Sequence, residues 1–282
     1  ILKKEKYKVL NYIINLHPFE NVYNNIIKNL YNSSYTTSIG KNKVYDFGKV
    51  AVILTCYNSA KTIWYSIYSL INQTYDKLQI IIIDDASTDN TVNIINSIIK
   101  NNKNLKIKLF VNKENKGCYY SKNIGLKNID SETNYICFHD SDDISKSSRI
   151  ERQVSFMKKN KLLISTCLGY HKNITKMPMI SLMISKYVFD NIGYYTIRKY
   201  GADEEYYYRI FYFFVNEFDW ITSTLFTNED TKKGYFKKYR NYQLLNEVLY
   251  YIYPQKNSLT KLYDNDSRNK LSILLKNKYQ KI

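Results

Sequence analysis

Asp140, Asp142 and Asp143 place three acids within four residues, directly after the apolar stretch Tyr135-Ile136-Cys137-Phe138-His139. In an extended chain successive side chains alternate faces, so Asp140 and Asp142 are expected to point one way and Asp143 the other. Two carboxylates held side by side repel, and one takes up a proton unless a cation lies between them. A divalent ion removes that cost, and hard oxygen ligands at the end of a buried strand suit Mg²⁺ or Mn²⁺. A plain acidic turn after a strand would carry the same residues without a metal. His139 adjoins the acids, but from a strand it points away from Asp140 and is expected to pack in the core.

Two further acidic groups stand at similar places. Asp84 and Asp85 end the apolar run Gln79-Ile80-Ile81-Ile82-Ile83, and Asp203-Glu204-Glu205 opens a stretch with helical spacing. The elements that must position them follow a regular order. Lys49–Thr55 is a nearly continuous apolar run, as expected of a strand buried on both faces. A turn, Cys56-Tyr57-Asn58-Ser59, leads to a helix with Ile63, Ile67, Leu70 and Ile71 on one face. After the second strand, Ile94, Ile95, Ile98 and Ile99 mark another helix. Leu105, Ile107, Leu109 and Val111 alternate with lysines, the pattern of a strand with one solvated face. A loop with Gly117 and a short helix through Ile124 precede the strand that ends at Asp140. Strand–helix alternation of this kind implies right-handed crossovers and a mostly parallel sheet, whose ligands lie at the carboxyl ends of the strands. Thr55–Tyr57, Asp84–Asp85 and Asp140–Asp143 all fall at such ends.

The remaining elements are expected as follows. Ile150, Val154 and Met157 mark a helix, 162–168 and 180–185 read as strands, and 203–215 reads as a helix with Asp203 as its N-cap. Residues 1–45 read as two short helices and a polar linker, and 231–282 as a basic helical tail interrupted near Pro254. The chain opens with Ile1 in place of Met, which fits a processed chain or a piece of a longer protein.

Composition narrows the function classes. The 282 residues are 44% hydrophobic and 24% charged, a globular composition, and no apolar run reaches the roughly 20 residues that span a bilayer. With no membrane span and no signal-peptide pattern, a soluble or peripheral chain in the cytoplasm is expected. The net charge of +17 invites nucleic acid, an anionic membrane or an anionic substrate as partner. The lysines are scattered, however, and the abundance of Ile, Asn, Lys and Tyr matches AT-rich coding, so no nucleic acid is expected. Cys56, Cys118, Cys137 and Cys167 lack metal-ligand spacing and are expected to stay reduced.

Three segments together resemble family 2 glycosyltransferases with the GT-A fold: VAVILTCYNSAKTIWYSIYSLINQTYDKLQIIIIDDASTDNT, NKGCYYSKNIGL and NYICFHDSDDISKSSRIERQ. The resemblance covers roughly residues 49–215 and lies in the order and spacing of the segments. It implies a GT-A domain over 46–230, with a nucleotide-binding half at 49–145 and an acceptor half at 146–230. It also implies an inverting transfer of a sugar from a nucleotide-sugar, UDP-sugar foremost, to a hydroxyl on a glycan, protein or lipid, with Mn²⁺ or Mg²⁺ as the only cofactor. Thr55 and Tyr57 match residues that line the nucleotide base, and Asp85 matches the one that hydrogen-bonds the uracil edge, while Asp84 orders the turn. Lys122 stands where the family usually has an arginine near the base and phosphates, a departure that bears on nucleotide identity because lysine lacks the planar fork. Asp142 matches the metal ligand that bridges to the diphosphate, and Asp140 a contact to ribose or to the metal. Asp203 matches the catalytic base of inverting members, with Glu204 as the second choice.

Two other function classes fit parts of the chain. A non-catalytic GT-A module binding a sugar nucleotide or glycan would need neither the Asp140/Asp142 pair nor Asp203. A basic nucleic-acid-binding protein would show steeply salt-dependent binding to duplex DNA. A nucleotidyltransferase would show a Gly-rich loop after the first strand, and Cys56-Tyr57-Asn58-Ser59 is not one.

Overall fold

A computed structural model describes residues 47–171, 174–176, 179–198, 201–214 and 241–252. The chain divides after Asp46 into two units, and every described residue belongs to the second, Phe47–Ile282. The helices and linker expected over 1–45, the Asn257–Thr260 turn and the apolar stripe at Leu271, Leu274 and Leu275 lie outside the described residues.

The described residues form one mixed sheet. Strands β1 (Lys49–Cys56), β2 (Leu78–Asp84), β3 (Lys106–Val111) and β4 (Thr133–Asp140) run parallel in the order β3-β2-β1-β4. The sheet continues through β8 (Met183–Ser185), antiparallel to β4, then β6 (Ile164–His171), β9 (Tyr242–Tyr251) and β5 (Ile144–Ser145), with β7 (Ile174–Lys176) paired to β6. The helices are α1 (Ile63–Ile71), α2 (Thr91–Asn101), α3 (Cys118–Lys127), α4 (Arg149–Asn160), α5 (Lys186–Ile192) and α6 (Ala202–Phe214).

The period-2 alternation of β1 and β2 divides their side chains between two cores. Ala51, Ile53, Ile81 and Ile83 pack with α3, α5 and α6. Val50, Val52, Leu54, Ile80 and Ile82 pack with Ile63, Ile67 and Leu70 of α1, Ile95 of α2, and Ile150 and Val154 of α4. Burial on both faces is why these strands read as continuous apolar runs. In β3 the lysines at 106 and 108 face solvent while Ile107 and Leu109 face inward, as their alternation predicts. Helix α3 lies close against the sheet. A Cβ on Gly125 would meet Ile53 Cγ2 at 2.5 Å and Ile83 Cδ1 at 2.9 Å, so only glycine allows this approach.

Two expectations need correction. The tail expected to be helical up to a break near Pro254 contains β9, which pairs parallel with β6 and antiparallel with β5. Tyr242, Leu244, Leu245, Leu249 and Tyr250 are buried, and burying them against the sheet outweighs helical preference. The main sheet therefore extends past residue 230. The second correction concerns α6, which starts at Ala202, so Asp203 sits inside its first turn and is not the cap. Among the described residues no helix is long and apolar enough to cross a membrane.

Candidate active site

Three adjacent parallel strands end together. Cys56 of β1 pairs in register with Asp84 of β2, and Thr55 with Asp140 of β4. The three polar clusters expected at strand ends therefore share one edge of the sheet.

At the β2 end, every acid is held by fixed donors. Asp84 is wholly buried and accepts from the Ser87 amide at 2.8 Å and from the Ser87 hydroxyl at 2.5 Å. It orders the turn, which passes through Ala86 in the left-handed region (φ 63°). Asp85 Oδ1 accepts from Asn112 Nδ2 at 2.7 Å and the Lys116 amide at 3.1 Å, and Oδ2 accepts from the Gly117 amide at 2.7 Å. Asp85 thus anchors the loop that leads into α3. The next residues tie this end to the β1 turn. The Asn58 amide donates to Ser87 Oγ, the Thr88 amide to Asn58 Oδ1 (both 2.8 Å), and the Ala60 amide to Asp89 at 3.1 Å. Within this frame Thr55 is buried and the Tyr57 ring is 47% exposed, facing out from the strand end.

The β4 end is built differently. The strand stops at Asp140 and the chain turns, with the Asp143 amide donating back to the Asp140 carbonyl at 3.3 Å. Strand alternation no longer applies beyond Asp140, and Asp143 does not diverge from its neighbours. One carboxylate oxygen each from Asp140, Asp142 and Asp143 lies within 4.8 Å of the others. Three hard oxygen donors at that spacing fit a Mg²⁺ or Mn²⁺ ion. Burial raises the Asp140 carboxyl above its usual range and Asp203 adds to this, against the pull of Lys122 and Arg149. A hydroxyl contact of 2.8 Å between Ser59 and Ser141 joins this turn to the β1 turn.

Behind the turn lies a buried polar layer that the sequence did not reveal. Arg149 is wholly buried and donates to Ser145 Oγ, Gln153 Oε1 and the carbonyls of Phe138 and Ile180, with its guanidinium 4.7 Å from the centre of the Tyr250 ring. These partners are neutral, so its positive charge acts on the acidic turn in front of it. His139 packs in the core as expected, with Nδ1 2.9 Å from the Asp140 carbonyl and 3.2 Å from Ser66 Oγ. Burial, then Arg149, lowers its pKa to about 3, so the imidazole is neutral.

Asp203 enters from α6. Its Oδ1 lies 2.9 Å from Lys122 Nζ, and its Oδ2 accepts from the Tyr119 hydroxyl at 3.2 Å. Lys122 is buried, and although burial opposes its charge, Asp203 and then Asp140 hold its pKa above the ordinary value. One lysine therefore acts on both Asp203 and the acidic turn. Glu205 is buried in an ion pair with Arg209 at 2.7 Å and also accepts from Thr196, a structural role. Glu204 is half-buried on the same helical turn.

Residues 51–242, more than half of the chain, match the family described as "Glycosyl transferase family 2". The chain belongs to that family. A relative from Escherichia coli, named a UDP-Glc:alpha-D-GlcNAc-diphosphoundecaprenol beta-1,3-glucosyltransferase (WfaP), is 38% identical over 116 residues, covering 41% of this chain and 44% of the relative. The chain spans less than half the length of the first curated relatives it matches. Among solved structures, S. aureus TarS 1–349 in complex with UDP-GlcNAc superposes with a TM-score of 0.58 at 16% identity, over 77% of this chain and 61% of that one. The Pyrobaculum calidifontis mannosyltransferase PcManGT in complex with GDP-Man and Mn²⁺ gives 0.50 at 18% identity, over 58% and 52%. At these identities the likeness shows the shared GT-A fold. The family 2 match ends inside β9, the strand that sequence patterning placed in a helical tail.

Proposed function

We propose that this family 2 chain transfers a sugar from a UDP-sugar to a hydroxyl acceptor with inversion, using Asp203 as base and a divalent cation at Asp140 and Asp142. The observation that carries the reading is the meeting of two groups. The clustered carboxylates of the β4 turn stand at the sheet edge beside Tyr57 and Asp85, and Lys122 links that edge to Asp203.

In this reading Tyr57 stacks on the uracil and Thr55 lines the pocket beneath it. A carboxylate offers about four lone-pair sites, and the three donors on Asp85 leave about one for the base edge. Lys122 supplies positive charge beside Asp203. A bound Mn²⁺ or Mg²⁺ would neutralise charge on the departing diphosphate. The acceptor oxygen forms its bond to the anomeric carbon as the bond from that carbon to the diphosphate oxygen breaks. The electron pair leaves with UDP and the acceptor proton passes to Asp203. The donor and the diphosphoundecaprenol acceptor named for the E. coli relative favour UDP-glucose and a lipid-linked saccharide as first substrates to try.

The test is Asp203→Asn, which keeps an acceptor for Lys122 while removing the base. Metal-dependent UDP binding should persist and the release of UDP from UDP-glucose in Mn²⁺ should fall about 10²–10⁴-fold, the usual contribution of a positioned base. Glu204→Gln should lose far less. A near wild-type rate in Asp203→Asn, or retention of configuration in the product by NMR, refutes the mechanism.

A further inference from the structure

Lys122 is placed where a nucleotide ligand is expected, yet its side chain is only 6% exposed while that of its partner Asp203 is 32% exposed. Its ammonium sits among three rings, 5.4 Å from the centre of Tyr119, 5.2 Å from Tyr195 and 5.8 Å from Phe138. This aromatic enclosure takes a compact point charge and keeps water from screening it. The charge is directed at Asp203, at 2.9 Å. Tyr119, one turn earlier on α3, fixes the other carboxylate oxygen. Asp203 therefore stands between Lys122 and solvent, clamped through both oxygens by one face of α3.

We propose that Lys122 is the positioning residue and counter-charge of the base Asp203, and not a ligand of the nucleotide. The proposal rests on the reading of Asp203 as base. An opposite charge at this range favours the ionised carboxylate, and the two hydrogen bonds fix its rotamer without occupying every lone pair. The groups facing Asp203 are Lys122, Tyr119 and Cys118 on α3, Asp140 at the end of β4, Tyr195, and Tyr207 on α6. Lys122 is the cation among these, so its removal leaves Asp203 without a counter-charge on the α3 side.

Lys122→Met removes the charge, keeps an unbranched chain only slightly shorter, and suits the aromatic enclosure. With UDP and Mn²⁺ as the binding probe, its affinity should stay within about threefold of wild type. With UDP-glucose in Mn²⁺ as the rate probe, UDP release should fall about tenfold or more in kcat while KM for UDP-glucose stays near wild type. In the Asp203→Asn background the same change should add little, because Lys122 acts through Asp203. Tyr119→Phe, which keeps the ring, should lower kcat by less with KM again kept, and it serves if Lys122→Met does not fold. A tenfold loss of UDP affinity, an unchanged kcat in both variants, or additive losses in the double variant would overturn the proposal. Full activity in Asp203→Asn alone would instead remove the base reading on which it rests.

Discussion

Two acidic strand ends flank β1, and they balance their charge by different means. At the β2 end, Asp84 and Asp85 receive backbone amides, a hydroxyl and an amide side chain, all from loops that they hold in place. At the β4 end, three carboxylates crowd within 4.8 Å, and among the described residues no donor hydrogen-bonds the Asp140 carboxylate. Its nearest compensation is charge at a distance, from Lys122 and Arg149. Fixed dipoles make the first end a preformed frame. The second gathers three carboxylate oxygens close enough to share a cation.

The largest expected effect breaks the β4 side of this comparison. Asp142→Ala should abolish Mn²⁺-dependent UDP binding in calorimetry while the protein stays folded. Unchanged metal-dependent affinity would move the cation elsewhere.

A mixed effect is expected on the β2 side. Asp85→Ala should weaken UDP binding by about 1–3 kcal/mol and relax the preference for uracil, and it should also lower stability, since the amides of Lys116 and Gly117 lose their acceptor. Competition binding with UDP, GDP and dTDP, paired with denaturant melts, reads both. A loss of binding without any loss of stability would mean that Asp85 is not part of the frame.

The smallest effect on function tests the frame alone. Gly125→Ala would press α3 onto Ile53 and Ile83, and it should lower the unfolding free energy by about 1–3 kcal/mol in urea melts. The Mn²⁺ dependence of UDP binding should survive. Its loss would show that the β4 turn depends on the exact seat of α3.

How much of this was legible in the sequence follows the same division. The apolar runs of β1, β2 and β4 and the alternation of β3 made the parallel half readable, because strands buried on both faces leave no other pattern. The convergence of Thr55, Asp84 and Asp140 then followed from strand–helix alternation. β9 was not readable. The adjacent pairs Leu244/Leu245 and Leu249/Tyr250 are all buried, and the register against β6 shifts between them, which breaks the period-2 signal. The grouping of Asp143 with Asp140 was missed because the alternation argument was carried past the end of the strand. Lys122 and Asp203 lie 81 positions apart, and nothing local announces their contact. Arg149 opens a helix, where an arginine normally faces water, and only the tertiary fold buries it.

The β4 turn is expected to need a cation to hold a nucleoside diphosphate, and the β2 end is not. Calorimetric titration of the wild-type protein with UDP, in excess Mn²⁺ and separately in EDTA, tests this directly. One UDP should bind in Mn²⁺, with affinity at least about tenfold weaker in EDTA, a difference of about 1.4 kcal/mol. Equal affinity in the two buffers would contradict the account.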